Sequence, residues 1–348
     1  MTASELAGKR IAIVRLSAIG DVVHVLPIVS SIRAAAPDAH ITWIIQPTPH
    51  ELVQHHPGVD EFILFERKPL LRSYQRLRLA TRGRKFDLVL APHTSLKAGL
   101  ATSMLNSPRK IGFDRARAPE LNWLFTNERV PARPRAHMQD EMIEFVEHLG
   151  IPLRLEWGIE PTKAEVTRYE SLLPGFGGPT VALSIASSLR DKDWPAERFA
   201  ALADRITAQL GARTIIVGGR SDVEMAAVAT VQRLASTPPL DLGAWDLRRL
   251  VYLVSRSDVV VSPDSGPLHI AVALGTPSVA LMGHTNPKRV GPYRFRELMV
   301  DAYGEPGERY GASAGPRKGR MERIGVDAVV EKVGQALTPP LYSLPPPV

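Results

Sequence analysis

At 348 residues the chain is longer than one hydrophobic core usually serves, so two domains are expected. Its 44% hydrophobic and 23% charged residues are those of a globular protein, and the absence of cysteine excludes disulfides and thiolate metal sites and fits a reducing compartment. The formal charge of +7 favours partners that carry phosphates or carboxylates, whether nucleic acid, an anionic membrane surface or a phosphorylated lipid.

The opening MTASELAGKR runs straight into IAIVRL, too short a segment for the core of a signal peptide. No apolar run approaches the ~18 residues a membrane-spanning helix needs, so a cytoplasmic protein is expected. Strands are predicted at RIAIVRL (10–16), HITWIIQ (40–46), EFILF (61–65) and FDLVLAP (86–92), each β-branched or aromatic-rich and separated by segments of helical spacing. Such alternation implies a parallel sheet wrapped by helices. Within it, Arg67, Lys68, Arg72, Arg76, Arg78, Arg82, Arg84 and Lys85 follow one another with no acid between positions 67 and 85. A solvated helix face and an anion-facing surface both fit that run.

From His137 to Leu149, MQDEMIEFVEHL predicts a helix stopped by Gly150 and Pro152. The strongest breaker cluster, PGFGGP (174–179), places a boundary between an N-terminal domain, 1–173, and a C-terminal domain, 174–337. The second half repeats the rhythm, with strands at 180–186, 213–219, 258–263 and 277–283 and helices at 196–210, 221–235, 246–256 and 266–274. The proline-rich tail, 338–348, is expected to be extended or disordered. The pattern is α/β: two Rossmann-like doubly wound domains, with ligands expected in the cleft between them at the carboxyl ends of the strands.

Three segments carry candidate chemistry. In RLSAIGDVVHVLP (15–27) a strand ends at Leu16, Ser17 to Gly20 form a tight loop, and Asp21 begins a helix that Pro27 would kink or restart. Spacing alone favours Asp21 as a helix cap, although a helix N-terminus also stabilises the ionised form a general base requires. His24 lies one turn along. In SIASSLRDKDWPAERFAAL (184–202), Ser187, Ser188 and Lys192 lie on a strand-to-helix loop that could hold a diphosphate, or that simply faces solvent while Trp194 anchors the helix. In SPDSGPLHIAVALGTP (262–277), Asp264, Ser265 and Gly266 precede Pro267 and His269 at a helix start, an arrangement suited to anions. There the Asp264 carboxylate is expected to tie the loop amides, since pointing inward it would repel phosphate.

Neither GxGxxG after the first strand nor a GxxxxGK[ST] loop occurs, and VGGRSD (217–222) lacks the third glycine, which argues against a nicotinamide-dependent dehydrogenase. No His/Asp/Glu spacing suggests a metal. A basic nucleic-acid-binding protein lacks support from any helix-turn-helix, RNP or basic–aromatic pattern.

Taken in register, RLSAIGDVVHVLP, DKDWP and PDSGPLHIAVALGTP resemble glycosyltransferase family 9, the lipopolysaccharide heptosyltransferases, over nearly the whole chain. The first segment is similar to the type I branch, which adds the first heptose to the Kdo sugar of lipid A. The resemblance implies a GT-B architecture, acceptor on the N-terminal domain, ADP-heptose on the C-terminal domain, inversion at the anomeric carbon, and no cofactor or essential metal. It makes Asp21 the catalytic base and Lys192 the lysine on the donor phosphates. Ser187 and Ser188 fall where the family has threonines near the diphosphate, Asp264, Ser265, Gly266 and His269 match its donor motif, and Glu224 falls where a ribose-binding acid is expected. Gly20, His24, Arg72, Arg76, Lys97 and His137 are assigned to the acceptor, an anionic Kdo-lipid A met at the inner membrane surface. A relative using another nucleotide-sugar or glycan acceptor, or one that binds donor without transferring it, would share these motifs.

Overall fold

The computed structural model describes residues 3–187 and 189–338, and the chain divides into two compact units, one ending at Gly158 and the other beginning at Ile159. The first unit holds strands β1 (Arg10–Val14), β2 (His40–Ile45), β3 (Glu61–Leu64), β4 (Leu88–Ala91), β5 (Lys110–Gly112) and β6 (Glu128–Arg129). Helices α1 (Ala3–Leu6), α2 (Ile19–Ala35), α3 (Pro47–Val53), α4 (Leu70–Ala80), α5 (Leu96–Ser103) and α6 (Met138–Leu149) accompany them. The strands pair in parallel in the order β3-β2-β1-β4-β5-β6, with Arg10 opposite His40 and Ile11 opposite Leu88. The central strands are buried almost throughout, which is why they read as unbroken apolar runs rather than as alternation.

The second unit repeats the plan with β7 (Thr180–Ser184), β8 (Arg213–Val217), β9 (Leu240–Asp241), β10 (Val259–Pro263), β11 (Ser278–Met282) and β12 (Val300–Asp301). Its helices are α7 (Lys163–Tyr169), α8 (Ala196–Leu210), α9 (Asp222–Leu234), α10 (Leu247–Ser255), α11 (Gly266–Leu274), α12 (Pro287–Val290) and α13 (Val326–Leu337). Its strand order, β9-β8-β7-β10-β11-β12, is that of the first sheet when each is numbered within its own unit. Each sheet therefore has one place where neighbouring strands lead away in opposite directions: between β1 and β4, and between β7 and β10. Crevices at such switch points are where open α/β sheets bind ligands.

Two expectations need correction. The unit boundary lies at Gly158, not at the 174–179 cluster. Segment 159–173 belongs to the second unit because α7 is tied to α10: Arg248 pairs with Glu165 (2.8 Å) and the Tyr169 hydroxyl donates to Asp246 (2.5 Å). Gly158 itself has φ +59°, and a Cβ there would lie 2.6 Å from His56 Nε2, so the first unit closes on a position only glycine fills. Pro27 does not restart its helix, since α2 runs through it from Ile19 to Ala35 with Val22 to Val29 all buried. Burial of so much apolar surface outweighs the ~3 kcal/mol that proline costs inside a helix. The proline-rich tail from 339 onward lies outside the described residues. No helix among the described residues is long and apolar enough to cross a membrane.

Candidate active site

At the switch point of the first sheet, β1 leads into Arg15, a buried arginine. Its Nη1 donates to the Pro92 carbonyl beyond β4 (2.5 Å), its Nε to the Ser17 carbonyl (3.1 Å), and its Nη2 pairs with Asp21 Oδ2 (2.5 Å). One guanidinium thus fastens the ends of the two central strands and holds the aspartate. Asp21 is the third residue of α2, where its Oδ2 also accepts from the Ala18 amide (3.1 Å). Gly20 lies in the helix's first turn, not in a loop ahead of it, and so has a backbone any residue adopts. Burial would raise the Asp21 pKa, but the Arg15 charge, the Ala18 amide and His24 together hold it below the ordinary 3.8. The carboxylate is about one third exposed, and Oδ1 keeps no protein partner among the described residues. The arrangement gives an ionised, oriented carboxylate with one oxygen open.

The other residues assigned to the acceptor divide. His24 and His137 are buried at the contact of α2 and α6, edge to face at 5.8 Å. His24 Nδ1 meets Gln139 Oε1 (3.1 Å), and His137 caps α6 by accepting from the Gln139 amide (3.1 Å). Both therefore take part in packing α2 against α6, and His24 also acts electrostatically on Asp21. Lys97, on α5, is half-buried, and burial together with the nearby Arg67 lowers its pKa. Arg72 is exposed on α4. Arg76 pairs with Glu66 and Arg84 with Glu61, so acids just outside the basic run compensate two of its members.

The second sheet has its own constellation at its own switch point. The loop after β7 carries Lys192 and the loop after β10 carries Asp264; because β7 and β10 are neighbours, residues 72 positions apart meet. Lys192 Nζ lies 2.7 Å from Asp264 Oδ2, and His269 Nε2 lies 3.2 Å from Asp264 Oδ1. The Asp264 carboxylate therefore points at the lysine and the histidine rather than at loop amides. Burial would raise its pKa, yet His269 and then Lys192 leave it far below the ordinary carboxylate range. Gly266 and Pro267 open α11; Ser265 is the N-cap residue but its hydroxyl meets Ser262 Oγ (2.9 Å) instead of capping, so the helix start is left to other ligands.

Ser187 shapes the β7 loop: its amide donates to Asp193 (2.7 Å), and its hydroxyl lies 2.8 Å from both Asp193 Oδ1 and the Leu189 carbonyl. Ser188 lies outside the described residues. Glu224, at the start of α9, accepts from the Gly219 amide (2.8 Å) and from the Ser221 amide (2.9 Å) and hydroxyl (2.6 Å). It holds the loop after β8. A cavity of about 460 Å³ adjoins this edge, lined by Ile185, Asp193, Trp194, Val223 and Met321 among others, but Lys192 and Asp264 do not line it.

Comparison with known proteins settles the family. The description "Glycosyltransferase family 9 (heptosyltransferase)" matches residues 74–308, more than half of the chain. The chain belongs to glycosyltransferase family 9. It is 30% identical over 305 residues to a lipopolysaccharide core heptosyltransferase, OpsX, of Haemophilus influenzae, covering 87% of each protein. A solved family 9 glycosyltransferase from Veillonella parvula superposes with a TM-score of 0.79 at 26% identity, over 95% of this chain and 98% of that one. The Escherichia coli heptosyltransferase WaaC, solved with ADP, superposes with a TM-score of 0.74 at 21% identity, over 94% and 99%, a likeness of fold. The chain is thus a glycosyltransferase of the heptosyltransferase family with two Rossmann-like units of GT-B type, and its business is lipopolysaccharide core synthesis.

Proposed function

We propose that this glycosyltransferase transfers heptose from ADP-heptose to the Kdo of lipid A, with inversion, without a metal, on the cytoplasmic side of the membrane. The observation that carries the reading is the pair of switch-point constellations: an ionised carboxylate with one open oxygen after β1, and a lysine beside an uncapped helix start after β7 and β10. The ADP and the heptose come from the proteins this chain resembles.

In the proposed step the acceptor hydroxyl oxygen attacks the anomeric carbon as its proton passes to Asp21 Oδ1. The bond from that carbon to the diphosphate oxygen breaks, and its electron pair leaves with ADP. Attack from the face opposite the leaving group inverts the centre. Lys192 and the amides at Ser265 and Gly266 meet the charge that builds on the diphosphate.

ADP should stabilise the chain by several degrees in a thermal-shift panel, with UDP, GDP and CMP much weaker, because only a bound ligand shifts the unfolding equilibrium. Stabilisation by UDP or GDP instead would remove ADP-heptose as donor.

A lipid-linked acceptor also places the enzyme at a membrane, and the first unit carries a matching face. Leu71 and Leu79 on α4 (71% and 68% exposed) and Leu124 (56%) are its three most exposed large apolar side chains among the described residues. Leu71 and Leu79 stand among the exposed Arg72, Arg78 and Arg82 of α4 and the turn after it. Apolar and cationic side chains together suit an anionic bilayer surface. Leu71→Asp combined with Leu79→Asp should abolish co-sedimentation with phosphatidylglycerol vesicles without lowering Tm. Undiminished co-sedimentation of that variant would exclude this face.

A further inference from the structure

One buried donor at the carboxyl edge of the first sheet has no partner among the described residues. His93 comes two residues after β4, next to the Pro92 carbonyl that Arg15 holds. Its Nδ1 accepts the amide hydrogens of Thr94 (3.0 Å) and Ser95 (3.3 Å). A ring nitrogen that accepts carries no proton, so in the neutral imidazole the proton sits on Nε2. That Nε2 is buried and makes no hydrogen bond among the described residues. Folded proteins keep few such groups, because an unmade buried hydrogen bond forfeits the water the group has lost.

The neighbourhood indicates what would satisfy it. The charges that act on this ring are those of Arg15, Asp21 and Lys97. Burial and then Arg15 push its pKa down to about 3, so the ring stays neutral and does not compete with Asp21 for a proton. Arg15 cannot serve as the missing partner, being a donor itself and engaged with Ser17, Pro92 and Asp21. What remains is an oxygen from outside the chain, a water in the free protein or a ligand oxygen during turnover, within the electrostatic reach of Asp21.

We propose that His93 binds the acceptor sugar, its Nε2–H donating to a hydroxyl or carboxylate oxygen next to the hydroxyl that Asp21 deprotonates. The assignment rests on Asp21 as the base of a sugar transfer. It adds a neutral, fixed donor to the acceptor site, which sets the angle of the attacking oxygen while Asp21 takes the proton. It also accounts for a ring held by two backbone amides at Nδ1, which leaves Nε2–H as its remaining hydrogen-bonding group.

Two substitutions separate the ring's two nitrogens. In His93→Asn the amide oxygen can take over from Nδ1 and keep the Thr94 and Ser95 amides paired, but the outer N–H is gone. In His93→Gln the longer amide returns an N–H to the Nε2 position. With ADP-heptose and Kdo-lipid A in detergent micelles, His93→Asn should lose about tenfold or more in kcat/KM for the acceptor, the usual effect of one hydrogen bond removed. Donor KM and Tm should stay at wild-type values, and His93→Gln should recover most of the loss. Wild-type acceptor kinetics in His93→Asn would overturn the assignment. So would a lowered Tm with equal losses toward donor and acceptor, the mark of a purely structural histidine. A wild-type chain that binds ADP yet moves no sugar to this acceptor would count against the transfer reading itself, and His93 would fall with it.

Discussion

Asp21→Asn is expected to lower turnover by about 10²–10⁴-fold, the range over which a general base contributes, while ADP stabilises the variant as it does the parent. Asparagine keeps the shape of the side chain and an oxygen for the Ala18 amide. It cannot take a proton from the acceptor. It also leaves the buried Arg15 guanidinium without its counter-charge, so part of any loss could come from a displaced loop. Asp21→Asn with Arg15→Met removes that charge and recovers stability if the imbalance matters, but turnover stays low if the missing base is the cause. The pH profile gives a second reading. A carboxylate whose folded pKa is depressed is ionised throughout the neutral range, and its contribution to rate and stability is lost only as pH falls through a value below 3.8. Asp21 therefore produces no acid limb near pH 6, where a histidine base would. Wild-type turnover in Asp21→Asn, or an acid limb near 6 that it abolishes, would remove Asp21 from the role.

Much of this site was legible because its residues follow buried strands. The run IAIV is apolar at every position, and the first polar residues after it belong to the edge where ligands bind; the same holds after VALS and VVVSP. The predicted strands overran by two residues or so, as at 10–16 against Arg10–Val14, since Arg15 and Leu16 stay buried after the ladder has stopped. β5, β6, β9 and β12 are only two or three residues long, too short for any period to register, and they lie toward the outer margins of their sheets. The unit boundary was misplaced because glycine and proline report where the backbone turns, whereas the boundary depends on which side chains α7 meets, and Arg248 lies 83 positions from Glu165. Arg15 had a signal that went unread: an arginine closing an otherwise apolar strand must find buried partners. For His93 no local pattern exists, because its significance lies in what Nε2 fails to touch. Nor does any local pattern mark His24 and His137 as partners in the packing of α2 against α6.

Lys192→Met should reduce kcat by about 10²–10³-fold, the usual effect of deleting one donor aimed at a developing oxyanion, and should weaken ADP binding as well. The lysine has two duties that this substitution removes together. In the free protein its ammonium neutralises Asp264, and with donor bound it would meet the diphosphate too, having three N–H groups to share. Losing one partner of a fully buried pair costs about 3–5 kcal/mol; here the cost should be smaller, because Lys192 is 22% exposed and His269 still faces the carboxylate. Asp264→Asn combined with Lys192→Met separates the duties. With no buried carboxylate left to balance, the double variant should regain much of the lost Tm. Its turnover should remain low, since no cation then meets the departing phosphate. If the double variant regains turnover along with stability, the lysine serves only to neutralise Asp264. The charge on the leaving group would then rest on the start of α11 alone, where Pro267 offers no N–H and Ser265 and Gly266 supply the amides nearest the open end.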